Sequence, residues 1–342
     1  MSLTDERRSA LLGVKLAGAV KARTGVEVST GRFGPLPGGA TLRSPAGGFV
    51  LVQDRAERGL GAALAWSVRD GAGAGPLTVV VDVRRDGTPQ PGAAALLARR
   101  AAGLAEPPAV WWVDRSAVAD AVALAVDPGP FPVPPACEEY ARRAEAAGLD
   151  VVPHRAGISI EVLGLEVGRV EVDSGGRPRF GVGVGRHDRE ANDEMFEGAP
   201  TQEALVRTAE VVRAARRPEA MPGSASLLSR ERWLRHAVCA GPGALGLPPV
   251  APLPEAAPAA DLRQARPAAA VGHGVVVVCS AGVDLDLVPA AADAWLAAGR
   301  PPLIVLVVPV GSDAPVTREL AARLAAPAEV MAVVPPWERT PG

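Results

Sequence analysis

The sequence predicts an α/β protein built from two pseudo-duplicated units, each with a mixed sheet of short antiparallel strands and a βαβαβ parallel portion, flanked by helices. Residues 77–83 and 303–308 are continuous apolar runs rich in β-branched side chains, which is typical of parallel strands buried on both faces. Stretches with helical spacing lie between these runs, and Gly and Pro residues bound them. The same order of elements occurs twice, which indicates two units.

The first unit is predicted to have the order αβββαβαβ. Its first helix begins at Thr4, where Thr-Asp-Glu forms a capping and first-turn pattern, and ends before Gly25. The remaining predicted elements are three short strands, a helix, a strand, a helix and a strand, at 26–33, 40–43, 49–52, 60–68, 77–83, 93–102 and 109–113.

A run rich in proline separates the two predicted units, because Pro-Gly-Pro and Pro-Val-Pro-Pro disfavour both helix and sheet. We therefore predict three segments: an N-terminal α/β unit, a linker and a second α/β unit, at 1–125, 126–135 and 136–342. The second unit is predicted to contain an antiparallel block, a helical insertion, a Pro/Ala-rich loop and a C-terminal βαβαβ portion, at 158–184, 188–238, 248–270 and 275–334.

The two βαβαβ stretches match in order and in approximate spacing. Residues 49–52 correspond to 275–278, and Trp66 falls in register with Trp295. Chance similarity between alanine-rich segments is the alternative to a true duplication.

Composition excludes several classes of protein. The 342 residues carry a formal net charge of -2, so the chain has no general attraction to nucleic acid, although a local basic patch remains open. Lysine occurs only at Lys15 and Lys21, and the abundant Arg, Ala, Gly and Pro indicate a GC-rich genome such as an actinobacterial one. No apolar run reaches the roughly 20 residues that span a bilayer, and the N-terminus does not resemble a secretion signal. We therefore expect a cytoplasmic protein.

The three cysteines are widely spaced and odd in number. Cys137, Cys239 and Cys279 fit reduced, buried thiols better than a disulfide framework or a zinc site.

The densest polar cluster directly follows a predicted strand and opens a predicted helix. Arg186, His187 and Arg189 could bind a phosphate at the helix N-terminus. Asp188 and Glu190, with Glu166 from a preceding strand, are the candidate catalytic residues, as acid/base groups or metal ligands. The alternative is structural: Asp188 caps the helix, and the arginines and Glu190 form surface ion pairs.

A second acidic pair follows the strand 275–279, at the edge where α/β proteins usually bind ligands. Asp284 and Asp286 share a face if the chain is extended there, so both could bind one Mg²⁺ or Mn²⁺ ion. The alternative is a role in capping and turns. No cofactor is otherwise evident, because the glycine-rich segments lack the spacing of dinucleotide and phosphate loops.

The order αβββαβ resembles the core of the restriction-endonuclease-like superfamily. In that family an acidic residue on one strand and a Glu-x-Lys on the next bind a divalent metal ion. The matching positions here are Gln53-Asp54-Arg55 in the first half, and Glu166 and Gly183-Val184-Gly185-Arg186 in the second. Neither set reproduces the motif, so the resemblance implies a catalytically degenerate member.

Four segments are similar to an uncharacterised family of actinobacterial proteins, which carries no established activity: 164–167, 185–190, 230–235 and 283–289. The leading hypothesis is a non-catalytic or degenerate binding or scaffold protein. One alternative is a metal-dependent phosphodiesterase, similar to a nuclease, that acts on nucleic acid or nucleotides. Another is a regulatory nucleotide-binding protein. The partner is left open between a protein and a nucleic acid, and no membrane is expected.

Overall fold

The computed structural model describes residues 3–28, 31–70, 75–83, 92–115, 117–195, 201–217, 220, 223–253 and 262–338. The chain divides into two compact units that alternate along the sequence. Unit 1 contains Met1–Val126, Leu285–Asp293 and Pro315–Pro327. Unit 2 contains Asp127–Asp284, Ala294–Ala314 and Ala328–Gly342.

The α-helices of the described residues are numbered in chain order: α1 (Leu3–Thr24), α2 (Gly59–Arg69), α3 (Gly92–Ala101), α4 (Glu138–Ala146), α5 (Gly185–Met195), α6 (Gln202–Ala215), α7 (Ser224–Leu227), α8 (Arg230–Ala240), α9 (Leu287–Ala297) and α10 (Pro315–Ala321).

The β-strands of the same residues form three sheets. The N-terminal sheet has the order β1-β2-β3-β4-β5-β6, the central sheet β10-β9-β8-β7, and the C-terminal sheet β11-β12-β13-β14-β15. The bounds are β1 (Arg32–Leu36), β2 (Gly39–Ser44), β3 (Gly47–Val52), β4 (Leu77–Asp82), β5 (Ala109–Asp114), β6 (Ala117–Asp120), β7 (Asp150–His154), β8 (Gly157–Val162), β9 (Leu165–Val172), β10 (Pro178–Val182), β11 (Val250–Leu253), β12 (Ala268–Gly272), β13 (Val275–Cys279), β14 (Leu303–Pro309) and β15 (Ala328–Val333).

The N-terminal sheet is covered on one face by α1. Strands β3, β4 and β5 pair in parallel, and the other neighbours pair antiparallel. Leu12 and Leu16 of α1 pack into a core with Leu51, Val80 and Trp111 of the sheet. The strands are apolar in continuous runs because both faces of the sheet are covered. Helix α1 packs on one face, and α2 and α3 pack on β3, β4 and β5 as well.

Unit 1 also contains a reciprocal contact between two similar segments. The Ala105 N–H donates to the Arg323 carbonyl at 2.9 Å, and the Ala325 N–H donates to the Gly103 carbonyl at 3.0 Å. An antiparallel bridge joins Leu104 to Leu324 at the centre. The segment that follows α3 and the segment that follows α10 therefore form a short antiparallel pair.

The central sheet is fully antiparallel and separates its residues by face. Ile158, Ile160, Leu165 and Leu205 lie in one apolar core on the side of α4 and α6. Polar side chains alternate with these residues along the strands and lie on the other face, as the period of two requires.

The C-terminal sheet corrects part of the predicted organisation. Residues 248–270 are predicted to be a loop, whereas β11 and the first residues of β12 lie at the two ends of that range, and 254–261 lie outside the described residues. Alanine has a low β-propensity, so Ala268–Gly272 does not have the composition of a strand. Ala268 and Ala270 are buried between β11 and β13, where α8 packs closely and small side chains fit.

The N-terminal and C-terminal sheets share one pattern of pairing. In both, the first three strands are antiparallel neighbours and the next two add in parallel, so β1–β5 correspond to β11–β15. The predicted class is therefore confirmed: the protein is α/β, with mixed sheets flanked by helices. The antiparallel strands of 158–184 form a sheet of their own instead of the first strands of a second mixed sheet. Duplication and domain boundaries stay predictions.

The described helices include none with both the length and the apolar character needed to cross a membrane.

Gly61 tests the packing of α2 in unit 1. A Cβ at this position would lie 2.0 Å from the Leu285 carbonyl oxygen, so Gly61→Ala forces a backbone shift that outweighs the usual helical gain of alanine. We expect a loss of about 1–3 kcal/mol in the free energy of unfolding, measured in urea.

The matched control is Gly18→Ala in α1, where nothing lies within 4 Å of the added Cβ. This variant should gain about 0.5–1 kcal/mol, because alanine favours the helix. Equal effects of the two substitutions would contradict the close approach of Gly61 to Leu285.

Candidate binding site

Two features of the described residues are candidates for function: a buried polar face on the central sheet of unit 2 and an exposed apolar groove on unit 1. The polar face is defined by side chains that alternate with the apolar core: His154, Ser159, Glu161, Glu166 and Arg169. The first four are 1–4% exposed, so their charges and hydrogen-bonding groups must be compensated within the protein.

Glu161 joins the central sheet to α8. Its carboxylate accepts hydrogen bonds from Arg232 Nη1 at 3.2 Å and from Arg235 Nη2 at 2.5 Å. Nearby, His236 Nδ1 lies 2.7 Å from the Asp150 carboxylate. The residues on the other side of α8, Leu234 and Val238, pack into the core of the C-terminal sheet. Helix α8 is therefore polar toward one sheet and apolar toward the other.

Glu166 lies directly across from Glu161 in the β8–β9 pairing, so two like charges are neighbours in a buried layer. Arg169 Nη2 donates to Glu166 at 2.7 Å, Ser159 Oγ donates at 3.1 Å, and Arg189 of α5 also donates to this carboxylate. Burial alone raises the pKa of Glu166, but Arg169 and Arg189 together lower the pKa below its usual range. The carboxylate is therefore ionised and fully engaged.

The β8–β9 turn packs against α8 through Gly164. Leu163 and Gly164 have φ values of 48° and 77°, the left-handed conformations of a two-residue hairpin turn. A Cβ at Gly164 would lie 2.2 Å from the Arg232 carbonyl oxygen, so only glycine allows this approach. Arg216 donates to the carbonyls of Leu163, Ala225 and Leu228 and stacks 4.8 Å from the Trp233 ring centroid. Burial lowers the pKa of Arg216 to about 9, so it stays charged at neutral pH.

His154 is held in one tautomer. Its Nδ1 accepts a hydrogen bond from the Ala156 N–H at 3.3 Å, so the proton of the neutral ring lies on Nε2. Burial, and then the charge of Arg169, lower the pKa of His154 below its usual range. The ring is therefore neutral at pH 7.

The structure brings together one predicted pair of site residues, Glu166 and Arg189, and places Arg186, Asp188 and Glu190 at the surface. Helix α5 begins at Gly185, three residues before Asp188, so Asp188 lies in the first turn instead of at the capping position. Asp188 is exposed, and Arg186 donates to Glu190 at 2.6 Å in an exposed pair. His187 lies in α5, but its side chain is outside the described residues.

The second predicted acidic pair is divided between the two units. Asp286 belongs to unit 1 and is buried, where Arg100 Nη1 donates to its carboxylate at 3.0 Å and Arg58 Nε lies at 3.7 Å. Asp284 belongs to unit 2 and is half-buried. No group of three or more His, Cys, Asp or Glu side chains that could hold a metal ion occurs within the described ranges. A metal site at these positions stays a prediction.

An apolar groove of about 530 Å³ lies between α1 and β1 in unit 1. Val14 and Phe33, which line it, are 72% and 51% exposed, and Leu11 of the same helix is 70% exposed. A Cβ at Gly13 would be 3.4 Å from the Phe33 ring, so the absence of a side chain there keeps the groove open. The lining residues are small or apolar: Ser9, Ala10, Gly13, Val14, Ala17, Phe33, Gly34 and Pro35.

The charges of α1 are all positive beyond Glu6: Arg7, Arg8, Lys15, Lys21 and Arg23. Four of them form ion pairs, of which Lys15 to Asp82 at 2.6 Å is the most buried. Arg7 is exposed. It lies on the same helical stripe as Ala10 and Val14, at the end of the groove.

Helix α8 occupies the place in the C-terminal sheet that α1 occupies in the N-terminal sheet. Each helix packs on the first three strands of its sheet. The outer face of α8 is covered by the acidic β8–β9 hairpin, through Glu161 and Gly164. Among the described residues, the outer face of α1 has no comparable cover and is apolar and exposed.

Sequence reasoning missed both Glu161 and the groove. Glu161 lies in the alternating run 158–162, where it is a charged residue on the face opposite the apolar residues. A charge at such a position is a signal that could have identified it. The groove had a weaker signal: Leu11 and Val14 extend the apolar surface of α1 beyond the stripe that one sheet can bury.

Comparison with protein-family models, with curated proteins and with solved structures finds no match to this chain.

Removal of the Glu161 charge should destabilise unit 2. In Glu161→Gln, the Arg232 and Arg235 guanidinium groups remain buried without a carboxylate, which costs about 3–5 kcal/mol of unfolding free energy. The matched control is Glu190→Gln, which breaks an exposed pair with Arg186 and should cost less than about 1 kcal/mol. Urea unfolding compares the two, and a small effect at Glu161 would mean that the pair contributes little.

His154 should make stability depend on pH. The unfolded chain binds a proton at about pH 6.5, whereas folded His154 binds it only at lower pH. Its contribution is therefore complete above pH 6.5 and declines as the pH falls from there toward the pKa of the folded state. In His154→Asn, whose Oδ1 replaces the acceptor Nδ1, the urea midpoint should fall less between pH 7.5 and pH 5.5. An equal fall in both proteins would show that His154 does not remain neutral.

Proposed function

We propose that the protein is a non-catalytic binding or scaffold component that uses the α1–β1 groove to bind an amphipathic, acidic helix of a partner protein. The observation that carries this proposal is the groove itself, with Val14 and Phe33 largely exposed in its lining and Leu11 exposed on the same helix. Contiguous exposed apolar surface is costly in water, so its retention favours a role in association.

The small residues of the groove determine the shape of the partner. Ala10, Gly13 and Ala17 lie on successive turns of α1 and project little, so an incoming helix can approach its backbone closely. Leucine side chains of such a helix would contact Val14 and Phe33. The partner is therefore expected to present an apolar stripe of helical spacing.

The charge of α1 determines which charged residues the partner carries beside its apolar stripe. Helix α1 carries only cations from Arg7 onward, and Arg7 is exposed at the end of the groove. An acidic residue on the partner would pair with Arg7. The outer face of α8 provides the internal precedent, since it receives the acidic Glu161 of the β8–β9 hairpin.

The alternative of a metal-dependent phosphodiesterase has less support. Its candidate Glu166 is ion-paired to Arg169 and Arg189, and Asp286 to Arg100, so neither carboxylate is presented to a metal ion. Incubation with Mg²⁺ or Mn²⁺ and DNA, RNA or nucleotides tests this alternative. Cleavage that is lost in Glu166→Ala or Asp284→Ala would favour it. The restriction-endonuclease-like resemblance, the actinobacterial origin and a cytoplasmic location remain parts of the proposal.

Binding is tested with two designed peptides. One is an amphipathic helix with a leucine face and a glutamate face, and the other has lysine in place of each glutamate. We expect fluorescence anisotropy to show binding of the acidic peptide and at least tenfold weaker binding of the basic one, because the exposed Arg7 attracts glutamate and repels lysine. Val14→Glu should abolish binding of the acidic peptide.

The matched control is Val211→Glu on α6, because Val211 is exposed to 67% and Val14 to 72%. Neither substitution buries a charge, so both variants should keep the wild-type Tm. Equal binding by Val14→Glu, Val211→Glu and the wild type, or equal binding of both peptides, would contradict the groove as a site for acidic helices.

A further inference from the structure

Three nitrogen atoms of unit 2 are buried and have no hydrogen-bond acceptor among the described residues: His154 Nε2, Arg169 Nε and Arg235 Nε. His154 and Arg235 are 3% and 4% exposed. All three are N–H donors. Arginine Nε always carries a hydrogen. His154 Nε2 carries the hydrogen of the neutral ring, because Nδ1 accepts from the Ala156 N–H. Buried donors without acceptors are rare in folded proteins, so each requires a partner.

The layer that holds these donors is cationic. Four guanidinium groups face two buried carboxylates, those of Glu161 and Glu166. Two half-exposed carboxylates lie at the edge of the layer: Glu171, which pairs with Arg169 and is 54% exposed, and Asp150, which lies across from Glu161 and is 45% exposed. The arginines are Arg169, Arg189, Arg232 and Arg235. An excess of buried positive charge favours an anionic ligand over a neutral one.

The pairing of β7, β8 and β9 places two of the donors on the same face of the central sheet. His154 pairs with Gly157, and Gly157 pairs with Glu171. In the next row, Ser159 pairs with Arg169. His154 and Arg169 therefore lie on the same face, in adjacent rows, on the two strands that flank β8. Gly157 of β8 lies between them and carries no side chain. The charge of Arg169 also lowers the pKa of His154, which agrees with their proximity.

We propose that the polar face of the central sheet binds a phosphate-type oxyanion, which accepts hydrogen bonds from His154 Nε2–H and Arg169 Nε–H. Tetrahedral oxyanions offer several acceptor oxygens, so one ion satisfies both donors and balances the excess charge of the arginines. This site lies in unit 2, whereas the groove lies in unit 1, so the proposal stands independently of the protein-binding function.

The test is a titration of the full chain with inorganic phosphate, with potassium chloride at equal ionic strength as the control. Binding to the folded state should raise Tm with phosphate concentration in the manner of ligand linkage, and chloride should not. Arg169→Gln should lose this increase. Arg177→Gln, which removes an exposed arginine of the β9–β10 turn, should keep it.

Nuclear magnetic resonance of the wild-type chain provides a second readout in case Arg169→Gln fails to fold. With labelled histidine, phosphate should shift the Nε2 resonance of His154 and raise its apparent pKa, because an anion stabilises the protonated ring. A parallel titration with adenosine monophosphate distinguishes a free ion from the phosphate group of a nucleotide. A Tm and a His154 resonance that respond no more to either phosphate source than to chloride would overturn the proposal.

Discussion

The ion pairs of Glu161 with Arg232 and Arg235 are the interaction on which unit 2 depends. They join the central sheet to α8, whose other side packs into the C-terminal sheet through Leu234 and Val238. An apolar contact could hold these elements with similar strength, and a buried ion pair often contributes no more than its hydrophobic replacement. What the charges add is specificity: a helix that is cationic on one side and apolar on the other has one way to lie between an acidic face and an apolar face.

This arrangement accounts for several residues whose roles are not evident one at a time. Gly164 must lack a side chain because the hairpin turn reaches the α8 backbone at Arg232. Arg216 binds the carbonyl of Leu163 in the same turn and stacks on Trp233 of α8, so it fixes the turn and the helix together. Burial lowers its pKa to about 9, and its hydrogen bonds to carbonyl oxygens offset the cost of burying the charge. The sequence pattern of this region therefore serves packing, and catalysis is not required to explain it.

The parts that could be predicted from the sequence are those that depend on local patterns. Runs such as Val275–Cys279 and Leu303–Pro309 are apolar enough to identify as buried strands, and their β-branched residues distinguish them from helices. Strand β12 could not be identified, because its alanines do not have the composition of a strand. Small side chains fit there because α8 packs closely on β12, which is a tertiary constraint. The candidate acidic residues were found by type, but their partners were not predictable: Arg100 is 186 positions from Asp286, and Arg189 is 23 positions from Glu166. Only the folded chain shows that these carboxylates are ion-paired.

The two helices that begin the matching strand patterns show how one architecture can serve two purposes. Helices α1 and α8 each pack on three strands that have the same antiparallel order, and each has a second side. On α8 that side carries basic residues, and they contact Glu161 and Asp150 of the same chain. On α1 that side is apolar. Val14 is exposed there beside Phe33 of β1, and Arg7 is exposed toward the start of the helix. A helix face that is covered within the chain in one sheet and exposed in the other supports the proposal that another molecule covers the α1 face. The groove is thus more informative about function than the acidic residues, because its exposure has no compensation within the described part of the chain.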